Sequence, residues 1–138
     1  FNSCSSVRRA TIPPTVQLSS MIGSYRLLTE VTIPDGVVEV VDSAFYGCEG
    51  ISTLKIPDSV KRIGKSAFSG CKSLASIFLS SAIDNVEDSC FANCSKLATI
   101  DIPAGVTNIA RQAFYYCSSL GSAKLPEGLI AINEPSSR

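Results

Sequence analysis

Residues 51–73 run ISTLKIPDSVKRIGKSAFSGCKS, and the same phrase returns every 23 residues along the chain. Three further copies occupy residues 28–50, 74–96 and 97–119, and all four carry Phe at repeat position 18 and Cys at repeat position 21. A fixed period of this length is typical of a solenoid, in which each copy forms one coil that stacks on the next. Solenoids mostly build binding surfaces. The repeat therefore predicts both a fold and a class of function.

The repeat continues beyond these four copies in both directions. Residues 120–138 begin another copy that stops before its Ala-Phe-x-x-Cys part. Residues 7–27 form a degenerate copy about two residues short, and residues 1–6 match the tail of a still earlier copy. We expect residues 1–138 to form a single repeat array, and we expect that array to be a piece of a longer one.

The composition fits a folded chain with a substantial core. Hydrophobic residues make up 45% of the 138 residues and charged residues 17%, which is typical of a buried core and not of a disordered segment. Twelve basic and twelve acidic residues give a formal net charge of zero, and the basic residues are dispersed. Neither nucleic acid nor an anionic membrane is favoured as a partner. No apolar run reaches the about 18 residues that a membrane span requires.

Each copy predicts two short extended pieces followed by a turn. The first piece alternates in polarity, as in Leu97–Ile102, which places repeat positions 4 and 6 inward. Proline at position 7 ends it, because proline has no N–H to give to a strand ladder. A second extended piece follows, as in Val60–Ile63. The Ser-Ala-Phe-x-Gly-Cys segment is too short for a helix and predicts a 3₁₀ or single α turn, relaxed by Gly47 or Gly70.

The cysteines predict buried free thiols. Six cysteines in a short chain would ordinarily indicate disulfides. Five of them share repeat position 21 and so face one direction, whereas Cys90 takes the place of a small apolar residue. Parallel Cβ vectors oppose disulfide geometry. A row of thiols is not a tetrahedron and the chain has no histidine, so we predict no metal site. The residues at position 21 are Cys4, Cys48, Cys71, Cys94 and Cys117.

The sequence carries no recognisable catalytic constellation. The chain has no histidine to act as the base for a serine nucleophile, and neither a G-x-S-x-G nor an H-E-x-x-H motif occurs. Glu87 and Asp88 are adjacent, so they point to different faces and cannot act as an acid–base pair. Glycine never clusters into a phosphate-binding loop. We predict no enzymatic activity, no catalytic residue and no cofactor.

The repeated phrase resembles the BspA-type leucine-rich repeat, a 23-residue class found in surface proteins of anaerobic bacteria and some parasitic protists. The resemblance covers residues 28–132 well and residues 1–27 loosely. It implies a right-handed, curved leucine-rich repeat solenoid, rich in short parallel strands joined by 3₁₀ or short helical turns. It also implies a secreted or cell-surface parent protein and adhesion to host matrix proteins or other microbes, without shared catalytic residues. The departures from the pattern are Ser80, Cys90, Asn93 and Tyr116 in place of Pro, Ala, Gly and Gly.

The candidate ligand-binding residues belong to one polar column. Strand positions 3 and 5 point away from the core and would line the concave face. Phe78 is the leading candidate, because an exposed aromatic among polar neighbours is typical of an interaction hot spot. An ordinary scattered surface residue is the alternative. We expect Tyr46, Tyr115 and Tyr116 to pack at the coil edge. The candidates are Thr32, Thr53, Lys55, Ser76, Phe78, Thr99, Asp101 and Lys124.

Two classes of function remain open from the sequence. The first is an extracellular or cell-surface module that binds a protein or another cell-surface macromolecule. The second is a cytoplasmic scaffold for protein–protein interaction, which free thiols favour because oxidising compartments select against them. In either class an array cut within a repeat leaves uncapped ends, so we also expect some self-association.

The strand alternation generates a first testable prediction. Replacing Ile102 with Asp buries an unpaired charge between coils and should lower the free energy of unfolding by more than ~4 kcal/mol. Replacing the neighbouring Asp101 with Ala should cost less than ~1 kcal/mol. Denaturant unfolding of the two variants checks this, and equal losses would show that the strand register is wrong.

Overall fold

The computed structural model describes residues 9–11, 28–110, 112–124 and 131–132, with side chains described over 28–110 and 112–121. These residues form eleven short strands and no helix. Six of these strands have three residues and five have two. The longer ones are Arg9–Thr11 (β1), Glu30–Thr32 (β2), Thr53–Lys55 (β4), Ser76–Phe78 (β6), Thr99–Asp101 (β8) and Ser122–Lys124 (β10). The shorter ones are Glu39–Val40 (β3), Arg62–Ile63 (β5), Asn85–Val86 (β7), Asn108–Ile109 (β9) and Ala131–Ile132 (β11).

Every strand pairing is parallel and joins one coil to the next. β4 pairs with β6, β8 with β10 and β3 with β5, while β7, β9 and β11 form one three-stranded sheet. Partner residues in these pairs are 23 positions apart, as in Leu54 opposite Ile77. β1 also pairs with β2, but with an offset of 21, as in Ala10 opposite Val31. The predicted leucine-rich repeat solenoid of short parallel strands is confirmed.

The strand ladders are interrupted at regular places. Successive three-residue strands lie next to one another in the stack, yet no ladder joins β2 to β4 or β6 to β8 among the described strands. Along this side, the three-residue strands therefore form separate two-stranded sheets, each of which joins two neighbouring coils. On the side of the two-residue strands the interruption falls between β5 and β7 instead.

The core consists of equivalent apolar side chains stacked coil upon coil. The middle residues of the longer strands, such as Leu54, Ile77 and Ile100, are buried, and so are Ile56 and Ile102 at repeat position 6. Positions 4 and 6 thus point inward as predicted.

Phenylalanine at repeat position 18 forms a continuous column through the coils. The rings of Phe45, Phe68, Phe91 and Phe114 lie parallel within 7°, with successive centroids 5.4, 5.5 and 5.5 Å apart. Parallel rings at this spacing are offset-stacked, which suits their quadrupoles.

The segment before each cysteine is a row of overlapping turns and not a helical turn. In one coil, three i→i−3 bonds close it, including Ala44 N–H to the Val41 carbonyl at 3.2 Å and Cys48 N–H to the Phe45 carbonyl at 3.1 Å. The intervening amides donate across to the next coil, as Phe45 N–H does to the Ala67 carbonyl at 2.7 Å. The predicted 3₁₀ or α turn is wrong to that extent, because half of the amides bind the neighbouring coil.

Left-handed residues recur at two repeat positions of this segment. Position 20 has φ of 75° at Gly47, 80° at Gly70, 62° at Asn93 and 58° at Tyr116. Glycine adopts this region without penalty, whereas tyrosine does not. Position 16 is also left-handed although it never holds glycine. Its residues are Ser43, Ser66, Ser89 and Gln112, with φ between 57° and 60°.

Several predicted repeat boundaries lie outside the described residues. They are those of the tail at 1–6, of the degenerate copy at 7–27 apart from residues 9–11, and of much of the truncated copy at 120–138. The division of the chain into those copies stays a prediction.

The close approach of two coils generates a second prediction. A Cβ atom added at Gly64 would lie 2.5 Å from the Asp42 backbone nitrogen and 2.7 Å from the Val41 carbonyl carbon. Backbone atoms cannot yield as a side chain can, so Gly64→Ala should lower the free energy of unfolding by about 1–3 kcal/mol.

Gly105→Ala is the matched control, because its nearest neighbour would be the Ile83 carbonyl oxygen at an ordinary 3.4 Å. Chemical unfolding of both variants should separate them by at least about 1 kcal/mol. Equal midpoints would contradict the close approach of the coils at Gly64.

Candidate functional site

The outward side chains of β2, β4, β6 and β8 form a surface that we call the strand face. On it Thr32, Thr53, Lys55, Thr99 and Asp101 are exposed, and Ser76 is half-buried. Phe78 is 62% exposed, the largest exposed fraction among the exposed large apolar residues of the described chain. Lys124 lies on β10 in register with Asp101, and its side chain falls outside those described.

Strand register arranges the residues at repeat position 5 in a row. Lys55 lies opposite Phe78 in the β4–β6 pair, and Asp101 lies opposite Lys124 in the β8–β10 pair. At position 3, the Ser76 hydroxyl lies 3.5 Å from the Thr53 hydroxyl. The predicted site residues are thus brought together on one side of the coils, as the sequence alternation requires. Whether they bind a ligand stays a prediction.

A groove of about 460 Å³ opens on the strand face between β6 and β8. We call it the Phe78 groove. Its position coincides with an interruption of the strand ladder. Asp101 is the one charged residue among those that line it, all of which the structure describes. The lining includes four predicted site residues, namely Ser76, Phe78, Thr99 and Asp101.

A smaller groove of about 200 Å³ lies between β2 and β4, at another interruption of the ladder. Thr32 and Lys55 line it together with Asp35 and Pro57. No binding role was predicted from the sequence for repeat position 8, the residue after the position that usually holds proline. That position supplies Asp35 to the smaller groove and Ser81 and Ala104 to the Phe78 groove. The sequence feature that could have indicated this contribution is the spacing, because repeat position 8 always lies three residues after strand position 5.

Hydrogen bonds hold the chain segment at the rim of the Phe78 groove. The Ser80 hydroxyl, fully buried, donates to the Val60 carbonyl at 2.6 Å and accepts from the Ala82 amide at 3.0 Å. Ser81 N–H donates to the Asp58 carboxylate at 2.9 Å. This backbone bond, with a smaller contribution from Lys55, lowers the pKa of Asp58. Serine in the place of proline at position 80 is therefore a structural substitution that fixes the groove wall.

The opposite side of the coils carries a separate ionic cluster. The Arg62 guanidinium donates to the carboxylates of Glu39 and Asp42, the latter at 3.0 Å. The amide of Lys65 also donates to Asp42 at 2.8 Å, and this bond is the main reason that the pKa of Asp42 is lowered. These partly exposed pairs connect two coils and do not involve the residues of the strand face.

The prediction that the tyrosines pack at the coil edge is wrong for two of the three. Tyr46 is 56% exposed and Tyr116 is 58% exposed, while Tyr115 is half-buried. The rings of Tyr115 and Tyr116 lie 4.2 Å apart and are tilted by 53°. The left-handed backbone at repeat position 20 directs Tyr116 outward, a conformation that the sequence pattern assigned to glycine.

All five cysteines of the described chain are free, as predicted. The thiols of Cys71, Cys94 and Cys117 each donate to the carbonyl of a phenylalanine in the previous coil, as Cys94 Sγ does to Phe68 at 3.1 Å. Burial raises the pKa of Cys48 to about 12 and that of Cys117 to about 11 from the ordinary 9.0. The same cause raises the pKa of Cys71, Cys90 and Cys94. These thiols behave as small apolar groups.

Over the described ranges, no three His, Cys, Asp or Glu side chains come together in a way that could hold a metal ion. Within the same ranges, no helix has the length and apolar character needed to cross a membrane.

The profile of the BspA type leucine rich repeat region matches residues 1–48 and 20–136, with six copies of the repeat. The chain belongs to the BspA type leucine-rich repeat family. Proteins built from leucine-rich repeats are generally non-catalytic modules for protein interaction or adhesion. No curated protein sequence matches this chain.

Solved bacterial structures share the fold. A leucine-rich repeat protein of T. pallidum is 27% identical over 97% of this chain and 69% of its own length, with a TM-score of 0.85. One from Eubacterium ventriosum is 22% identical with a TM-score of 0.82, covering 96% of this chain and 43% of that one. The pneumococcal vaccine antigen PcpA is 18% identical with a TM-score of 0.64, covering 99% and 43%.

The coverage also shows how much of these structures the chain represents. The first two matched structures, from Bacteroides ovatus and Eubacterium ventriosum, are each covered over 43% of their length. The chain therefore spans less than half of those proteins.

The thiol row generates a third prediction. A thiolate is the reactive species, and each unit by which the pKa exceeds the pH lowers its population about tenfold. In a Cys4→Ala background, native protein at pH 8 should react slowly with iodoacetamide. Cys117 should react first, because it is the least buried of the described cysteines and burial raises its pKa only to about 11. Raising the pH to 9 should speed the labelling of Cys117 about tenfold.

Denatured protein without reductant should titrate five thiols in that background, since the chain has six cysteines and one is replaced. Cys117→Ala should remove the fastest reaction and leave the others unchanged. Two or fewer titratable thiols would indicate disulfides.

Proposed function

We propose that this chain is a non-catalytic recognition module of a cell-surface or secreted leucine-rich repeat protein, and that it binds a protein or cell-surface macromolecule through the strand face. The observation that carries the proposal is Phe78, a large aromatic side chain that is 62% exposed beside a groove. Leaving such a ring in water costs free energy that a partner would recover on binding.

The proposed binding surface comprises the predicted residues of the strand face. The Phe78 groove on this surface has a volume of about 460 Å³, which falls within the roughly 300–1,000 Å³ that ligand pockets typically enclose. A standard protein interface buries roughly 800 Å² per partner, so Phe78 would be the anchor and its polar neighbours the rim. These neighbours are Thr32, Thr53, Lys55, Ser76, Thr99, Asp101 and Lys124.

The proposed location at the cell surface rests on the family and on a fold shared with a vaccine antigen. A cytoplasmic scaffold is the second candidate, because all five cysteines of the described chain are free and oxidising compartments select against free thiols. An anaerobic surface removes that objection. The buried thiols also resist oxidation, since burial raises their pKa.

The charges of the strand face set the character of binding. Lys55 and Asp101 carry opposite charges on either side of Phe78, so no single-sign field steers a partner and salt dependence should be modest. A few coils offer little area, so the affinity of this chain should be weak, of the order of micromolar, and longer arrays would gain avidity.

A fourth prediction tests whether the strand face is the binding surface. The chain and a longer parent chain are assayed for binding to matrix proteins and to microbial surfaces. Phe78→Ala should weaken binding about tenfold or more, as expected of a hot-spot aromatic, and Lys55→Glu should weaken it as well.

Each variant has a matched control on another side of the coil. Val38→Ala truncates an apolar side chain that is 56% exposed, and Lys61→Glu makes the same charge change at an exposed lysine. Neither should alter binding. Loss of binding from the controls with retention in the strand-face variants would place the site elsewhere and refute the proposal.

A further inference from the structure

The Phe78 groove combines two features that together select one kind of chemical group. Phe78 presents an exposed ring at one side of the groove, and Asp101 provides the single formal charge among its lining residues. Both lie at repeat position 5 of neighbouring coils. The electron-rich face of an aromatic ring attracts a cation, and a carboxylate binds one directly. Both features therefore favour positive charge in the groove.

Asp101 is free to make such a contact. Its side chain is exposed, and no hydrogen bond or ion pair joins its carboxylate to another described side chain. Lys124 lies in register with it on β10, with a side chain outside those described. In the smaller groove the acidic residue is Asp35 at repeat position 8, and Lys55 lines the same groove. No lysine is among the residues that line the Phe78 groove, although Lys55 and Lys124 lie in register with Phe78 and Asp101 on the neighbouring strands.

Resting on the proposed function, we infer that the Phe78 groove binds an arginine side chain of the partner protein, stacked on Phe78 and paired with Asp101. Arginine fits better than lysine because its guanidinium is planar, stacks on aromatic faces and forms a fork that matches a carboxylate. Lysine offers a strongly hydrated point charge and costs more to desolvate. The groove volume accommodates the side chain together with part of its backbone.

Polar groups within the groove lining suit this occupant. β6 and β8 flank it without a ladder between them, so their facing backbone groups are not consumed by strand pairing. The Ser81 and Thr99 side chains add hydroxyl groups to the lining. A side chain with several N–H donors, as arginine has, finds acceptors there that an aliphatic side chain would leave unused.

The test uses three blocked tripeptides, Gly-Arg-Gly, Gly-citrulline-Gly and Gly-Leu-Gly, titrated into the 138-residue chain and followed by amide chemical shifts. Citrulline keeps the shape of arginine without its charge. The arginine peptide should shift amides within residues 76–81 and 99–104 and bind at least about fivefold more tightly than the citrulline peptide.

Two substitutions test whether Asp101 and Phe78 produce the preference for arginine. Asp101→Asn should bring the arginine-to-citrulline ratio close to one. Phe78→Leu keeps apolar area but removes the ring, so it should weaken the arginine peptide about threefold and leave the leucine peptide nearly unchanged. Asp84→Asn is the matched control, because it removes an exposed negative charge outside the groove and should leave the ratio intact.

The inference is overturned if citrulline binds as tightly as arginine, if Asp84→Asn acts as strongly as Asp101→Asn, or if millimolar arginine peptide shifts no amide of the groove. Loss of arginine preference while Phe78→Ala still weakens macromolecular binding would refute this inference alone. Arginine preference in the groove with no effect of Phe78→Ala on macromolecular binding would refute the proposed function alone.

Discussion

The parallel register between coils is the constraint on which the rest of this structure depends. Because strand partners lie 23 residues apart, each side chain has the equivalent residue of the next coil as its neighbour. A buried side chain is therefore tolerated only if it packs against the equivalent side chain of the next coil. Phenylalanine satisfies this by stacking at 5.4–5.5 Å, and cysteine by remaining a small apolar thiol bonded to a carbonyl one coil back. One coil alone would leave both columns without partners.

Deviations from the repeat show how strictly the register is enforced. Where serine replaces proline at position 80, its hydroxyl bonds Val60 and Ala82, so no buried polar atom of that side chain is left unpaired. Where tyrosine replaces glycine at position 116, the backbone keeps the left-handed conformation and the ring points outward. The stack preserves its backbone and lets side chains adapt.

This rigidity suits the proposed recognition of a partner. The backbone supplies a regular lattice, and under the proposed function the side chains at strand position 5 and turn position 8 select what each place on the lattice binds. Lys55, Phe78 and Asp101 make three neighbouring places differ in charge and polarity. Interrupted ladders between alternate pairs of strands open grooves between these places, so recognition needs no irregular loop.

The sequence by itself determined the solenoid, the strands, the inward positions and the free thiols, because a fixed period and an apolar alternation act locally and identically in every copy. It also predicted that Phe78 is exposed, because an aromatic residue at an outward strand position departs from the polar pattern. Only the tertiary structure decided which neighbouring strands leave their ladders open, how Gly64 meets the backbone of Asp42, and where Tyr46 and Tyr116 point. Those features arise between coils, where spacing and backbone conformation depend on the whole stack and no single repeat records them.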